Sequence, residues 1–159
     1  MTQKTEREKA QRLIAENRKA RHDYHILETW EAGVALLGTE VKSIREGRVN
    51  LRDSYARVDR GEVWLLNVHI SPYSHRGSAE HAELRQRKLL LHAHEIRKMV
   101  GQTAEKGFTL VPLELYLKNG RVKVLVGLAK GKQAHDKRET IRRREVDRET
   151  RAAVKSRSR

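Results

Sequence analysis

Apolar and polar positions alternate with a period of two over much of residues 22–128, and twice the period changes to that of a helix. In residues 22–29, Tyr24 and Ile26 fall on one face and His25 and Leu27 on the other, which predicts a first strand. Residues 31–37 are more continuously apolar and predict a second, more buried strand. In residues 38–47, Val41 and Ile44 stand i, i+3 and predict a short helix facing the core. Thr39 can cap that helix, Glu40 suits the positive end of its dipole, and Gly47 suits the position after its last turn. Residues 54–58 and 63–70 flank Asp59-Arg60-Gly61-Glu62 and read as a hairpin. Residues 71–87 are polar and aperiodic and read as a surface loop, and residues 88–91 read as a short buried strand or the approach to a helix. In residues 94–106, Ile96, Met99, Val100 and Ala104 form an apolar stripe that predicts a helix ended by Gly107. Residues 110–118 and 121–128 are joined by Asn119-Gly120, the preferred pair for a type I′ hairpin turn. Leu113, Leu115 and Leu117 are expected to share one face, as are Val122, Val124, Val126 and Leu128.

Either side of this patterned stretch the chain is polar. Residues 1–21 hold seven Lys/Arg against three Glu. Residues 1–16 are read as a flexible basic lead, and Asn17-Arg18-Lys19-Ala20-Arg21 as a basic run placed to grip phosphate. Residues 131–159 hold eleven Lys/Arg against five Asp/Glu, with Ile141, Val146 and Val154 as their sizeable apolar residues. That is too little to bury a helix, though residues 139–153 are good helix formers. The tail is expected to be disordered alone and helical when a partner supplies anions. The organisation is therefore a lead (1–16), a β-rich domain (17–130) and a basic tail (131–159). The fold class expected is mainly β with flanking helices, an oligonucleotide-binding-like β-barrel, closed or partly open.

Composition sharpens this. The 159 residues carry a formal net charge of +14, with 35% charged and 37% hydrophobic residues. Such an excess of positive charge is the footprint of a nucleic-acid partner. With no Cys there is no disulfide, thiol catalysis or cysteine zinc site. No apolar run approaches the roughly 20 residues needed to span a membrane, and a cytoplasmic, membrane-free protein is expected. Metalloprotease, phosphate-loop and serine-elbow motifs are missing from the sequence. His92 and His94 stand i, i+2, a spacing that diverges on a helix. The expectation is no catalysis, no cofactor and no metal. The seven aromatic residues are few for stacking on single strands, which favours recognition of a folded RNA by shape and phosphate. Glu31 and Glu40 can accept hydrogen bonds from bases, orient a neighbouring Arg, or stand as surface charges. His135 can stack on a base or be solvated.

Ordered blocks of residues add a family resemblance. They are Asn17-Arg18-Lys19-Ala20-Arg21-His22-Asp23-Tyr24, Glu31-Ala32-Gly33, Gly38-Thr39-Glu40-Val41-Lys42-Ser43, Asp53-Ser54-Tyr55, residues 67–73, Arg87-Lys88-Leu89-Leu90-Leu91, residues 115–120, Ala129-Lys130-Gly131-Lys132 and His135-Asp136-Lys137-Arg138. In this order they resemble the SmpB (small protein B) family of bacterial trans-translation. The resemblance implies binding to the tRNA-like domain of transfer-messenger RNA and its delivery to stalled ribosomes. It implies RNA contacts from Asn17, Arg18, Lys19, Arg21, His22, Glu31, Gly38, Glu40, Lys42, Ser43, Lys130 and Lys132. Lys123 and Leu90 follow the family pattern more loosely, Leu90 through contact or through packing alone. His135, Asp136, Lys137, Arg138 and Arg142 would meet the ribosome along the empty mRNA path, His135 at the decoding bases. Elongation factor Tu and alanyl-tRNA synthetase would be indirect partners through the RNA. The pattern implies two basic residues after Gly131, and Gln133 occupies the second place. The other reading of the residues is a general structured-RNA-binding or ribosomal protein.

Overall fold

The computed structural model describes residues 11–73 and 81–132. In chain order these form β1 (Gln11–Glu16), α1 (Arg18–Asp23), β2 (Tyr24–Val34), α2 (Gly38–Arg45), β3 (Val49–Asn50), β4 (Tyr55–Asp59), β5 (Glu62–Leu66), β6 (His69–Ile70), β7 (Arg87–Leu90), α3 (Ala93–Thr103), β8 (Phe108–Lys118) and β9 (Arg121–Gly131). Two left-handed residues in succession make each hairpin turn: Arg60 (φ 50°) with Gly61 (77°), and Asn119 (52°) with Gly120 (77°). These are the type I′ geometries that match strand twist.

Hydrogen-bonded neighbours run β8–β4–β5–β7–β2–β9, and β9 pairs back onto β8, so the sheet closes on itself as a ring. The mainly β arrangement expected from the sequence, closed or partly open, is here the closed one. Inside lie Trp30, Ala32, Val63, Leu65, Leu89, Leu110, Leu115, Val122, Val124, Val126 and Leu128, together with Ile44 of α2 and Met99 of α3. Closure leaves few strand edges for other chains to pair with.

Two bulges decide which residues face in. In β8 the register shifts between Pro112 and Glu114. Leu110 therefore points into the ring, Val111 and Leu113 point outward, and Leu115 and Leu117 point inward again. The common face expected for Leu113, Leu115 and Leu117 is thus split, because one extra residue inverts a period-two pattern. A matching shift in β2 between Ile26 and Glu28 sends Ile26 outward and Trp30 and Ala32 inward. The two strands expected at 22–29 and 31–37 are one continuous strand: the bulge resets the alternation without breaking the ladder.

The outward residues form a second small core. Val111, Leu113 and Ala129, flanked by Ile26 and Leu125, receive Ala20 of α1. Gly127 lies beneath this contact, where a Cβ would stand 2.8 Å from Leu113 Cδ1 and 3.2 Å from Ile26 Cγ2. Asn17 starts α1. Its side-chain oxygen accepts from Ala20 N (3.2 Å), and its amide donates to Leu51 O (3.2 Å) and Pro112 O (2.9 Å).

Other boundaries also differ from expectation. Residues 11–16, read as part of the lead, pair with β8 from Gln11↔Lys118 to Glu16↔Glu114. Residues 63–70 break at Asn67 (φ 63°), after which β6 pairs with β3 in a separate two-stranded sheet. Leu37, not Thr39, is the N-cap of α2, and Gly47 (φ 76°) follows its C-cap as expected. Of the stripe on α3, Met99 is fully buried, while Val100 is 48% exposed. His92 precedes α3 with extended backbone, so its ring stacks on His94 (5.6 Å, 8°) instead of diverging. The domain extends past residue 130: Gly131 pairs with Tyr24, and Lys132 N donates to Asp23 O (3.2 Å).

Candidate nucleic-acid interface

The bulges leave the outer surface of β7–β2–β9–β8 in two parts, one covered by α1 and one open. On the open part Gly33 stands opposite Leu90 and Lys123, and Lys123 opposite Tyr116. Directly opposed residues share a face, and Glu31, two residues before Gly33, shares it too. Glu31, Leu90 and Lys123, distant in sequence, are thereby brought together. Tyr116 donates to Glu31 Oε2 (2.5 Å), and Lys118 donates to both carboxylate oxygens (3.2 and 3.3 Å). Burial pushes the Glu31 carboxyl up, but the bonds from Tyr116 and Lys118 and the charges of Lys118 and Lys123 outweigh it and hold it below its ordinary range. For the Tyr116 phenol, burial and the bond to Glu31 both act upward, so it remains a donor. The result is an ionised acceptor oriented on a basic strand face, next to a half-exposed Leu90. Tyr116 and Lys118 were missed as site residues. Their signal was parity: after the bulge they alternate with Leu115 and Leu117 of the interior.

The second group is α1. Arg18 is almost fully exposed, at 3.7 Å from Glu16. Lys19 pairs with Asp53 (2.8 Å), Arg21 with Glu114 (3.3 Å), and His22 with Asp23 (3.1 Å). Lys19 holds the Asp53 carboxyl below its ordinary range, through its hydrogen bond first and its charge second. Because β2 begins where β9 ends, Lys130 and Lys132 lie at the α1–β2 junction, with Lys130 Nζ over the Phe108 ring at 5.7 Å. The N-terminal basic run and the root of the C-terminal segment therefore share one end of the molecule. Asn17 itself is 5% exposed, with both amide hydrogens and its oxygen engaged internally. It positions α1 and offers little to a ligand.

The third group, on α2, divides. Gly38 and Lys42 are exposed, and Lys42 Nζ stands 5.3 Å over the Tyr73 ring. Glu40 and Ser43 are fully buried. Glu40 accepts from Leu37 N (2.9 Å), from Arg87 Nε (2.6 Å) and from Arg85. Burial pushes the Glu40 carboxyl up, and these bonds more than reverse it. Arg87 also donates to Val68 O (2.5 Å) and Glu83 O (3.1 Å), tying α2 to β7, the β5–β6 turn and the segment before β7. Burial weakens the hold of Arg87 on its proton and Glu40 restores part of it; starting so far above neutral, the guanidinium stays charged. Of the roles open to Glu40, the one realised is orienting arginines. Arg87 was expected at the end of a surface loop, but it is fully buried because Glu40 and three backbone carbonyls satisfy it. Nearby His81 is also buried, its Nε2 donating to Ile70 O (2.9 Å) and its Nδ1 3.0 Å from Thr39 Oγ1.

Gln133, His135, Asp136, Lys137, Arg138 and Arg142 lie outside the described residues. Among the described residues no group of three or more His, Cys, Asp or Glu could hold a metal ion, and no helix is long and apolar enough to cross a membrane.

A closed, mainly β ring with basic side chains gathered on one short helix and on the neighbouring strand face defines a small polyanion-binding domain of the oligonucleotide-binding type. The family model "SmpB protein" matches residues 14–156. An SsrA-binding protein of Thermosynechococcus vestitus is 60% identical over 147 residues, 92% of this chain and 97% of that protein. An SsrA-binding protein of a Geobacillus strain is 58% identical over 92% of this chain and 94% of its own length. A solved chain described under "tmRNA-SmpB: a journey to the center of the bacterial ribosome" superposes with a TM-score of 0.67 at 52% identity, covering 81% of this chain and 94% of that one. The chain belongs to the SmpB protein family.

Proposed function

We propose that the chain is a non-catalytic RNA-binding adaptor of trans-translation. It binds the tRNA-like domain of transfer-messenger RNA and delivers it to stalled ribosomes, leading to tagging of the nascent peptide and release of the ribosome. The observation that carries this is the family match across residues 14–156, which takes in both the ring and the basic segment after it. In this reading Arg18, Lys19, Arg21, His22, Lys130 and Lys132 meet RNA phosphates. Glu31, Leu90 and Lys123 form a second contact, and Gly38 and Lys42 a third. Asn17, Glu40 and Ser43 act by position, since burial keeps them from the RNA. His135, Asp136, Lys137, Arg138 and Arg142 follow the empty mRNA path to the decoding centre. Elongation factor Tu and alanyl-tRNA synthetase engage through the RNA, and the protein works in the cytoplasm.

The test compares the full chain with a form ending at Lys132, which keeps the pairing of Ala129 and Gly131 with β2. Each is titrated with transfer-messenger RNA and with an ordinary tRNA at two salt concentrations. Both forms are expected to keep their preference for transfer-messenger RNA at high salt, and the full chain alone to support peptide tagging. Preference that vanishes with salt or with the tail describes a polycation, and would replace this reading with that of a general structured-RNA-binding protein.

A further inference from the structure

A feature the proposed contacts leave over is a cleft of about 300 Å³ between α1 and the start of β4. That volume is at the lower end of the range for small-ligand sites. We propose that this cleft is a pocket for a single unstacked guanine, stacked on Tyr55 and hydrogen-bonded through its Watson–Crick edge to Asp53. The proposal rests on the RNA-binding function above and names one nucleotide class that this surface selects.

Four observations point to it. Tyr55 is 38% exposed on the outside of the ring, while its neighbour Ala56 is buried inside. An accessible ring on a strand is the usual platform for an unpaired base, and Tyr24 lines the cleft as well. The floor is formed by Thr109 and Val111 of β8. Among the described residues β4 and β8 share one ladder pair, Ala56↔Leu110, so the strands leave room beside Tyr55.

Asp53 supplies the edge contact. Lys19 holds it ionised, so it is an acceptor only. A carboxylate takes two hydrogen bonds best from two adjacent donors, and among the four bases guanine presents that pair, N1–H and N2–H. Adenine and cytosine offer one amino group beside an acceptor, and uracil one imide N–H between two carbonyls. Lys19, bound to Asp53 at 2.8 Å, brings a cation for the adjoining phosphate.

The loop is fixed before any ligand arrives. Asn50 Oδ1 accepts from Arg52 N (2.9 Å), and Ser54 Oγ donates to Leu51 O (2.5 Å). Asp53 sits at φ 60°, a region Asp tolerates better than most residues. Pre-organisation of this kind lowers the ordering cost of binding.

The experiment uses full-length protein with Tyr55→Ala, Tyr55→Phe and Asp53→Asn. Affinity is measured for transfer-messenger RNA and for ribosomes at two salt concentrations. Kethoxal, which modifies guanine at N1 and N2, reads out which guanines the protein covers. Tyr55→Ala is expected to weaken binding to one of the two RNAs about tenfold, with an unchanged salt slope and an unchanged melting temperature. Tyr55→Phe keeps the ring and is expected to stay within about twofold of wild type. Asp53→Asn turns a donor toward the guanine donors and should release the same guanine to kethoxal. A protected guanine in transfer-messenger RNA or in ribosomal RNA supports the pocket and identifies its source. Wild-type affinity of Tyr55→Ala for both, or the same guanine reactivities in all variants, overturns it. The two readings fail separately: wild type that cannot tell transfer-messenger RNA from tRNA at high salt defeats the adaptor function. A wild type that prefers transfer-messenger RNA at high salt, with Tyr55→Ala binding both transfer-messenger RNA and ribosomes as tightly as wild type, defeats the pocket alone.

Discussion

Glu40 opens the residue scale because burial changes its meaning. In the sequence it is an acidic residue beside a basic run. In the fold it is closed off with Arg87, 47 positions away, at 2.6 Å. That separation is why the pair was illegible: one sequence places Glu40 at a helix start and Arg87 near a strand start, and nothing local joins them. Removing one member leaves the other charged and buried. Arg87→Met is therefore expected to cost about 3–5 kcal/mol in a denaturant unfolding curve. The pH dependence has a definite sign. The folded value of Glu40 lies below its ordinary 4.5, so its contribution is complete above about pH 4.5. It is lost as the pH falls through the depressed folded value. In Glu40→Gln this part of the acid-side loss should be missing, and stability should already be low at neutral pH. A variant that melts like wild type at pH 7 would contradict the structural role given to Glu40.

At the scale of elements, what was legible is what depends on neighbours in sequence. Asn119-Gly120 and Arg60-Gly61 carry their turn geometry in two residues, and Val41 and Ile44 carry the face of α2 in their spacing. The bulges in β2 and β8 are not written that way, because an inserted residue such as Leu113 looks like any other apolar position. Yet that inversion makes the seat for α1, and with it the arrangement of Arg18, Lys19 and Arg21. β1 was illegible for a related reason: its pairing partner, β8, lies about a hundred residues away and supplies the ladder that its polar composition does not suggest. Gly127 tests this account. Its missing Cβ makes room for Leu113, so Gly127→Ala should destabilise by about 1–3 kcal/mol through overpacking. Leu113→Ala alone should cost about 2–5 kcal/mol by leaving a cavity. Because the new methyl would fill part of that cavity, the double variant should cost less than the sum. Additive losses in the thermodynamic cycle would mean that the two do not share one packing site.

Across the whole molecule, charge does two jobs that composition alone merges. The net +14 signals a polyanion but not how it is grasped. In the fold several cations are tied: Lys19 to Asp53, Arg21 to Glu114, Lys118 to Glu31, Lys98 to Glu28. A tied cation must exchange a carboxylate for a phosphate, so it adds less to affinity than its charge suggests, while its partner fixes where it points. Arg18, almost fully exposed and only loosely near Glu16, is a different kind of contact. So is Lys123, held in the sheet between Gly33 and Tyr116. If one RNA covers both α1 and the open strand face, each of these two should release about one counterion. Arg18→Ala and Lys123→Ala would then each flatten the slope of log K against log salt for transfer-messenger RNA by about 0.7–0.9, and the double variant by about twice that. Residues that do not touch each other should combine in this way. A double variant no worse than either single one would mean that the two faces take different RNA molecules, or different moments of the same encounter. In that case the ring would not be one continuous cradle but two surfaces joined by the Arg21–Glu114 pair.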